Sequence, residues 1–571
     1  MDQDGGLRRG LTQYGDPGFS LFLRKVFIKA MGFGDDALSR PIVGIVDTAS
    51  DYNPCHGNVG DLIEAAKRGV MLAGALPLAF PTISIHESFS HPTSMFLRNL
   101  MALDTEEMIR AQPMDAVILV GGCDKTLPAQ LMGAASAGVP AIVLPTGPML
   151  AGHYQGEVLG ACTDCRRLWA DHRAGRLDAE AIETLTDRLA PTRGTCMVMG
   201  TASTVACMVE AMGLCLPGGA TAPAVSADRL RIAEATGAVA ARMAVAHGPV
   251  PADLITPASV GNAMAILQAI GGSTNGLIHL TAVAGRLGLA VDLDTFDRLG
   301  ATVPVLVDLK PTGQHYMQHL HDAGGVSRLL RELGPSLDMT ATTVDRRTLA
   351  QIAEVAELVA GQTVIRPRAN PVHAGGGLAV LRGNLCPRGA VLKVGAATPA
   401  LLTHTGRAVV FDGLADLAAR IDDDALDVTA DDVLVLRYAG PVGAPGMPEA
   451  GAIPIPRKLA RAGVRDMVRI SDARMSGTAF GTVVLHVVPE AAVGGPLALV
   501  RDGDTIRLDA TARRLDVLID TGTLEARRQH WHPRPSPAGA ERGYLKLYLR
   551  EVTQADEGCD FAFCRPPGNT A

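Results

Sequence analysis

The chain has few aromatic residues, 4% of its 571, and only 19% of it is charged. It has no Lys/Arg run of the kind that tracks a phosphate backbone, and its net charge is −7, so nucleic acid is excluded as an expected partner. The N-terminus, MDQDGGLRRG, lacks the apolar segment of a secretory signal, which leads to the expectation of a cytoplasmic protein. Two long uncharged stretches, 126–152 and 255–285, are interrupted by proline and by glycine with polar residues, and they read as buried core rather than as membrane spans. Internal repeats and low-complexity tracts are also lacking. What remains is an apolar globular composition, 47% hydrophobic, in a chain long enough for two or more domains.

Short apolar runs alternate with helix-period segments through the first two thirds, the pattern of an α/β domain around a mainly parallel sheet. PIVGIVDT (41–48), DAVILVGG (115–122) and AIVLPTG (141–147) read as buried parallel strands. Ligands in such folds gather beyond the carboxyl ends of the strands, where 53–57 and 123–126 fall. Near Gly361 the texture changes, and QTVIRPRANPVHAGGG reads as a Pro/Gly-rich connection. The runs 390–395, 408–413, 432–438, 481–488 and 505–519 then predict a smaller β-rich barrel or sandwich. The expected division is 1–375, α/β, and 376–571, β-rich.

Ten cysteines in a chain this large do not read as a disulfide framework. Cys55 in DYNPCHGN, Cys123 in GGCDKT and Cys196 in RGTCMVMG each lie beside Gly or Pro in a predicted loop, a setting that suits a metal cluster. Taken singly, each is as readily an inert buried thiol, because spacings of 68 and 73 residues carry no local metal signature. The pair Cys162 and Cys165 has the compact CxxC spacing, yet no second pair completes a zinc site, and both read as structural. Lys125 follows Cys123 and Asp124 and is one of eight lysines in a chain whose basic residues are mostly arginine. An ammonium, unlike a guanidinium, can shed its proton and react with carbon dioxide; the alternative is an ion-pairing lysine.

GGCDKTLPAQLMGA (121–134) and RISDARMSGTAFG (469–481) resemble the two signatures of the dihydroxy-acid and phosphogluconate dehydratases, and GGSTNGLIHL (271–280) resembles a third block. With NPCHGN and RGTCMVMGTAS they run in order from 53 to 481, so the resemblance spans nearly the whole chain. It implies an iron–sulfur cluster held by Cys55, Cys123 and Cys196, two-iron rather than four-iron. It further implies a magnesium ion held by Glu87, Asp124, carbamylated Lys125 and Glu449. Carboxylate-type oxygens suit magnesium as thiolates suit iron. Ser476 would be the base, although Ser before Gly is more commonly a capping residue.

The blocks 12–45, 86–117 and 160–175 resemble the aldonate dehydratases, especially those of pentonates such as L-arabinonate and D-xylonate. Ser471 and Ala473 stand where the branched-chain biosynthetic enzymes usually show Thr and Gly. The expected activity is therefore dehydration of a sugar acid to its 2-keto-3-deoxy acid. The alternatives are 2,3-dihydroxy-acid dehydration, 6-phosphogluconate dehydration, and, in another class, a non-catalytic electron-transfer protein. Polar contacts to a polyol would come from His56, His86, His91, His153 or Thr478. The resemblance also implies a homodimer or homotetramer.

Overall fold

A computed structural model describes residues 5–566. Four parallel strands form the N-terminal sheet in the order β2-β1-β3-β4: β1 Ile42–Asp47, β2 Leu76–Pro81, β3 Ala116–Gly121 and β4 Ala141–Pro145. β1, β3 and β4 carry near-continuous Ile, Val and Leu and are almost wholly buried, as strands covered on both faces must be. β2 (LPLAFP) was not among the expected strands because it holds two prolines. It lies at the sheet edge, where a missing N–H breaks no ladder. A hairpin of β5 Gly152–Tyr154 and β6 Glu157–Leu159 follows the sheet.

The C-terminal sheet has eight strands in the order β14-β13-β9-β10-β11-β12-β8-β7. These are β7 Ala379–Leu381, β8 Gly389–Leu392, β9 Thr403–Asp412, β10 Val433–Arg437, β11 Arg469–Ser471, β12 Val483–Val488, β13 Thr505–Asp509 and β14 Arg514–Val517. Its two ends meet: Arg382, just past β7, donates its N–H to Arg513 and accepts from the N–H of Leu515, so the sheet nearly closes as a barrel. Val433 and Val435 point into the barrel core, while Leu434 and Leu436 pack outside it against Leu417 and Ile421. That alternation is the period of two expected of a strand. The expected run 505–519 is a hairpin, turning through Arg513 at φ 57°.

Two helices behind the parallel sheet cross through a pair of glycines. A Cβ on Gly69, in the helix Val59–Leu72, would lie 1.9 Å from the Glu234 carbonyl oxygen. A Cβ on Gly237, in the helix Ala227–Ala246, would lie 2.1 Å from that of Ala66. The first of these helices continues directly from the loop that carries Cys55, so this close approach fixes the loop. Gly69→Ala and Gly237→Ala should each lower stability by about 1–3 kcal/mol through overpacking, despite alanine's better helix propensity. Gly60→Ala, in the same helix but with open space around the new methyl, should not. Urea unfolding midpoints check the contrast; equal effects at Gly60 and Gly69 would contradict it.

Candidate active site

The loops that leave the four parallel strands carry most of the expected residues. Cys55 follows β1, Glu87 follows β2, and Cys123, Asp124 and Lys125 follow β3. Cys196 lies far beyond β4 in sequence, but Thr195 donates to the Gly147 carbonyl (2.9 Å) and Gly194 to that of Pro54 (3.0 Å). Cys196 is thereby tied to both the β4 loop and the Cys55 loop. Gly122 permits the convergence: a Cβ there would lie 2.0 Å from Thr146 Oγ1 and 3.1 Å from the Cys55 carbonyl oxygen. His56 braces the same point. Its Nδ1–H donates to the Thr48 carbonyl (2.9 Å) and its Nε2 accepts from the Gly122 N–H (3.0 Å). Burial pushes its pKa down to about 4, so the ring is neutral at pH 7.

These loops and the C-terminal domain enclose a cleft of about 450 Å³ lined by Cys55, His86, Glu87, Cys123, Asp124, Cys196, Glu449, Ser476 and Thr478. The ligating atoms of Cys55, His86 and Cys123 lie within 4.8 Å of one another, a possible metal site. The hydrogen bond to Cys123, then burial, raises the Cys55 thiol well above its usual range. Crowded buried thiols beside Asp124 resist ionising unless a cation joins them, as expected of a thiolate metal site. His56 has both ring nitrogens engaged within the protein, and of the other histidines proposed for polyol contacts, His86 lines the cleft while His91 and His153 do not.

The oxygen-rich half of the cleft centres on Lys125, which is fully buried. Its Nζ lies 3.4 Å from Asp124, 3.6 Å from Glu87 and 4.0 Å from Glu449. Three carboxylates thus surround one nitrogen at distances longer than tight ion pairs. Such a donor set fits a hard divalent cation together with a carbamate on Nζ. Arg474, also fully buried, joins the two domains here: it donates to Glu449 Oε1 at 2.6 Å and to both Glu87 oxygens at 3.1 Å. Burial opposes ionisation of Glu87, but the charges of Arg474 and Lys125 and the hydroxyls of Ser94 and Thr93 override it and hold the carboxyl well below the usual range. For Glu449 burial prevails and the pKa is raised.

Ser476 is 8% exposed, and its Oγ lies 2.8 Å from Thr478 Oγ1. The N-terminal domain holds the serine's loop: Asn275 Nδ2 donates to the Met475 carbonyl (3.0 Å) and Thr163 Oγ1 to that of Thr478 (2.9 Å). A Cβ on Gly477 would lie 2.5 Å from that of Ser273, which explains the Gly at that position. Lys393, whose part the sequence did not reveal, is fully buried and donates to the Gly477 carbonyl (3.0 Å); burial lowers its pKa to about 7.

Sequence reasoning also set aside residues that the structure brings to the cleft. Cys162, Cys165, Arg166 and Trp169 all line it. They fall on one face of the helix Thr163–Arg173 and its cap, at positions i, i+3, i+4 and i+7, a spacing that was available as a signal. Arg166 reaches to 3.9 Å from Glu449.

A nearly closed β-barrel follows a parallel α/β layer, and thiols and carboxylates meet in a cleft at their junction. The N-terminal family model of the dihydroxy-acid/6-phosphogluconate dehydratases matches residues 40–352, and the C-terminal model matches 363–559. The chain belongs to this dehydratase family and is an enzyme of the hydro-lyase class. It is 47% identical to an L-arabonate dehydratase of Azospirillum brasilense, over 95% of this chain and 94% of that one. It is 44% identical to a 6-deoxy-6-sulfo-D-gluconate dehydratase of Pseudomonas putida, over 93% and 91%. A dihydroxy-acid dehydratase of Pyrococcus abyssi is 38% identical over 94% and 97%.

Removing Arg474 would leave the partly buried Glu87 and Glu449 with Lys125, at 3.6 and 4.0 Å, as the one cation they still share. Arg474→Met should therefore cost about 3–5 kcal/mol in urea unfolding, and a loss below about 1 kcal/mol would contradict the bridging role. A pH effect arises in the support of the Glu449 loop. Asp472 accepts from the N–H groups of Tyr438 and Ala439, and Glu490 from those of Val442 and Gly443. Burial pushes Asp472 up to about 6; burial and then the charge of Asp472 push Glu490 up to about 7. The native state holds these protons while the unfolded chain releases them near pH 4, so their contribution to stability falls as pH rises from about 4 to about 7. Glu490→Gln should flatten that part of the stability–pH profile; an unchanged slope would exclude Glu490 as its source.

Proposed function

We propose that this enzyme dehydrates an aldonic acid, a pentonate such as L-arabinonate or D-xylonate, to the 2-keto-3-deoxy acid. The observation that carries the reading is the convergence on one cleft of Cys55, Cys123 and Cys196, the Lys125 carboxylate nest and the Ser476 hydroxyl. In this reading the three cysteines hold an iron–sulfur cluster, two-iron in type, and Glu87, Asp124, carbamylated Lys125 and Glu449 hold magnesium. Bound there, these groups supply Lewis acidity toward the substrate's carboxylate and hydroxyl oxygens. Thiolate-held iron suits a reducing compartment such as the cytoplasm.

Ser476 removes the C2 proton as the base. Ser476 must first give its own hydroxyl proton to solvent; Thr478 can turn its hydroxyl hydrogen toward the alkoxide that then takes the C2 proton, and Lys393, through the Gly477 carbonyl, keeps the loop in register. The C3 hydroxyl leaves with a proton as water, and the enol that remains takes a proton at C3 while its C2 hydroxyl gives one up, which yields the keto acid. Arg474 keeps Glu87 ionised and facing the cleft. Arg166 and Trp169 present a cation and an indole at the cleft wall, a combination suited to an anionic, hydroxylated chain.

The activities of these relatives support a sugar acid over a branched-chain dihydroxy acid, since the two sugar-acid enzymes are 44–47% identical to this chain and the dihydroxy-acid enzyme 38%. The test is anaerobic turnover of the metal-loaded protein on L-arabinonate, D-xylonate, D-gluconate, 6-phosphogluconate and 2,3-dihydroxyisovalerate, scored as 2-keto acid formed. The pentonates should be preferred; preference for 2,3-dihydroxyisovalerate would overturn the substrate reading. Ser476→Ala should keep its iron while losing at least about 100-fold in turnover, the lower range for a general base.

A further inference from the structure

Four successive carbonyls of the serine loop accept a hydrogen bond each, and one of the four donors differs in kind. The Met475 carbonyl accepts from Asn275 Nδ2 (3.0 Å), that of Ser476 from the Ala479 N–H (3.0 Å) and that of Thr478 from Thr163 Oγ1 (2.9 Å). These three donors are neutral. The Gly477 carbonyl accepts instead from Lys393 Nζ (3.0 Å), a fully buried amine just past β8. Among the described residues no carboxylate pairs with it. Burying an amine without a counter-ion is unfavourable, and a neutral donor like those at the neighbouring carbonyls would satisfy the same oxygen. The amine therefore calls for a role that a hydrogen bond alone does not fill.

The peptide that Lys393 contacts also faces the base. Its other end is the Thr478 N–H, which donates to Ser476 Oγ at 3.5 Å, beside the 2.8 Å contact of that oxygen with Thr478 Oγ1. Ammonium, carbonyl, N–H and serine oxygen stand head to tail along one peptide. We propose that Lys393 is a positioning residue that acts on Ser476 through this peptide, its ammonium polarising the Gly477–Thr478 amide so that the N–H holds the serine alkoxide. The inference rests on the reading of Ser476 as the base. A peptide is a fixed dipole with its positive end at the N–H, and a cation at the carbonyl strengthens it. A donor aimed in advance at an oxygen that becomes negative is most effective where water is excluded, and Ser476 is largely buried. The 3.5 Å contact is long for a neutral hydroxyl and should shorten when the oxygen ionises. Lys393 neither gives nor takes a proton in this role: the serine proton leaves to solvent, and the ammonium makes that loss easier. Burial draws the Lys393 pKa down to about 7, and an alkoxide at the far end of the peptide favours its charged form. The support is tied to the serine block at both ends, since the Ala396 N–H donates to the Lys393 carbonyl (3.2 Å) and the Gly481 N–H to that of Ala396 (2.7 Å).

The test uses the full chain, loaded anaerobically with iron, sulfide and magnesium, on whichever of the five acids named above it turns over fastest. Lys393→Met removes charge and donor, Lys393→Gln keeps a neutral donor, and Lys393→Arg keeps the charge; Ser476→Ala is run alongside. Lys393→Met and Lys393→Gln should keep iron content and hold KM within about twofold while kcat falls about 10- to 100-fold. The acid limb of their kcat–pH profiles should move up by about one pH unit, because a serine without the cation ionises less readily. The isotope effect on kcat with C2-deuterated substrate should rise as proton removal becomes the slower step, and Lys393→Arg should recover part of each change. Should Lys393→Met fail to fold, Lys393→Gln reads the same quantities. A purely structural lysine would instead alter KM, iron content or melting temperature and leave the pH limb and the isotope effect in place; that result, or wild-type kcat in Lys393→Gln, would overturn the proposal alone. Undiminished turnover in Ser476→Ala would overturn it together with the reading on which it rests.

Discussion

One buried guanidinium sets the terms for the rest of the site. Arg474 comes from the β-barrel domain and reaches Glu87 of the parallel-sheet domain as well as Glu449 of its own. Taking a full charge out of water costs several kcal/mol, so it persists only because two carboxylates meet it there. Arg474 in turn, together with Lys125, holds Glu87 ionised beside Asp124. The domain junction and the oxygen-rich half of the cleft are therefore one electrostatic unit, and neither domain alone completes it.

The thiol-rich half follows from strand topology. Parallel strands send their carboxyl ends to one edge, so loops far apart in sequence arrive side by side. Gly122 allows the closest approach, and neutral His56 fastens the β1 and β3 loops through their backbones. Glycine at 477, pressed against Ser273, likewise lets the serine loop of the barrel domain settle on the helix caps of the other domain. The blocks rich in Gly, Ser, Thr and Asn in this chain are thus largely seams between loops.

Much of this is legible in the sequence. The buried strands β1, β3 and β4 are marked by unbroken apolar runs, whereas the rarity of Lys125 among arginines leaves an ion-pairing lysine as the readier reading without the family resemblance. β2 was hidden by prolines that an edge position tolerates. The three cysteines gave no local spacing because their proximity is a property of the sheet rather than of the chain, and only the family resemblance joined them. Cys162 was passed over because a CxxC pair invites a search for a second pair, whereas the informative pattern was the helical one through Cys165, Arg166 and Trp169. Arg474 stands in the second signature block and Lys393 among the eight lysines, but neither position reveals burial, since whether a long cation is buried depends on which carboxylate or carbonyl the tertiary fold brings to it.

The central claim is that one cleft at the domain junction holds both metal groups. It is tested most directly by diffraction from anaerobically loaded crystals, with anomalous data collected on both sides of the iron absorption edge. The account predicts an iron signal bonded to the sulfurs of Cys55, Cys123 and Cys196, beside an iron-free cation peak among Glu87, Asp124, Lys125 and Glu449. Iron bound elsewhere, or an empty thiol cluster in a protein that nonetheless dehydrates sugar acids, would contradict it.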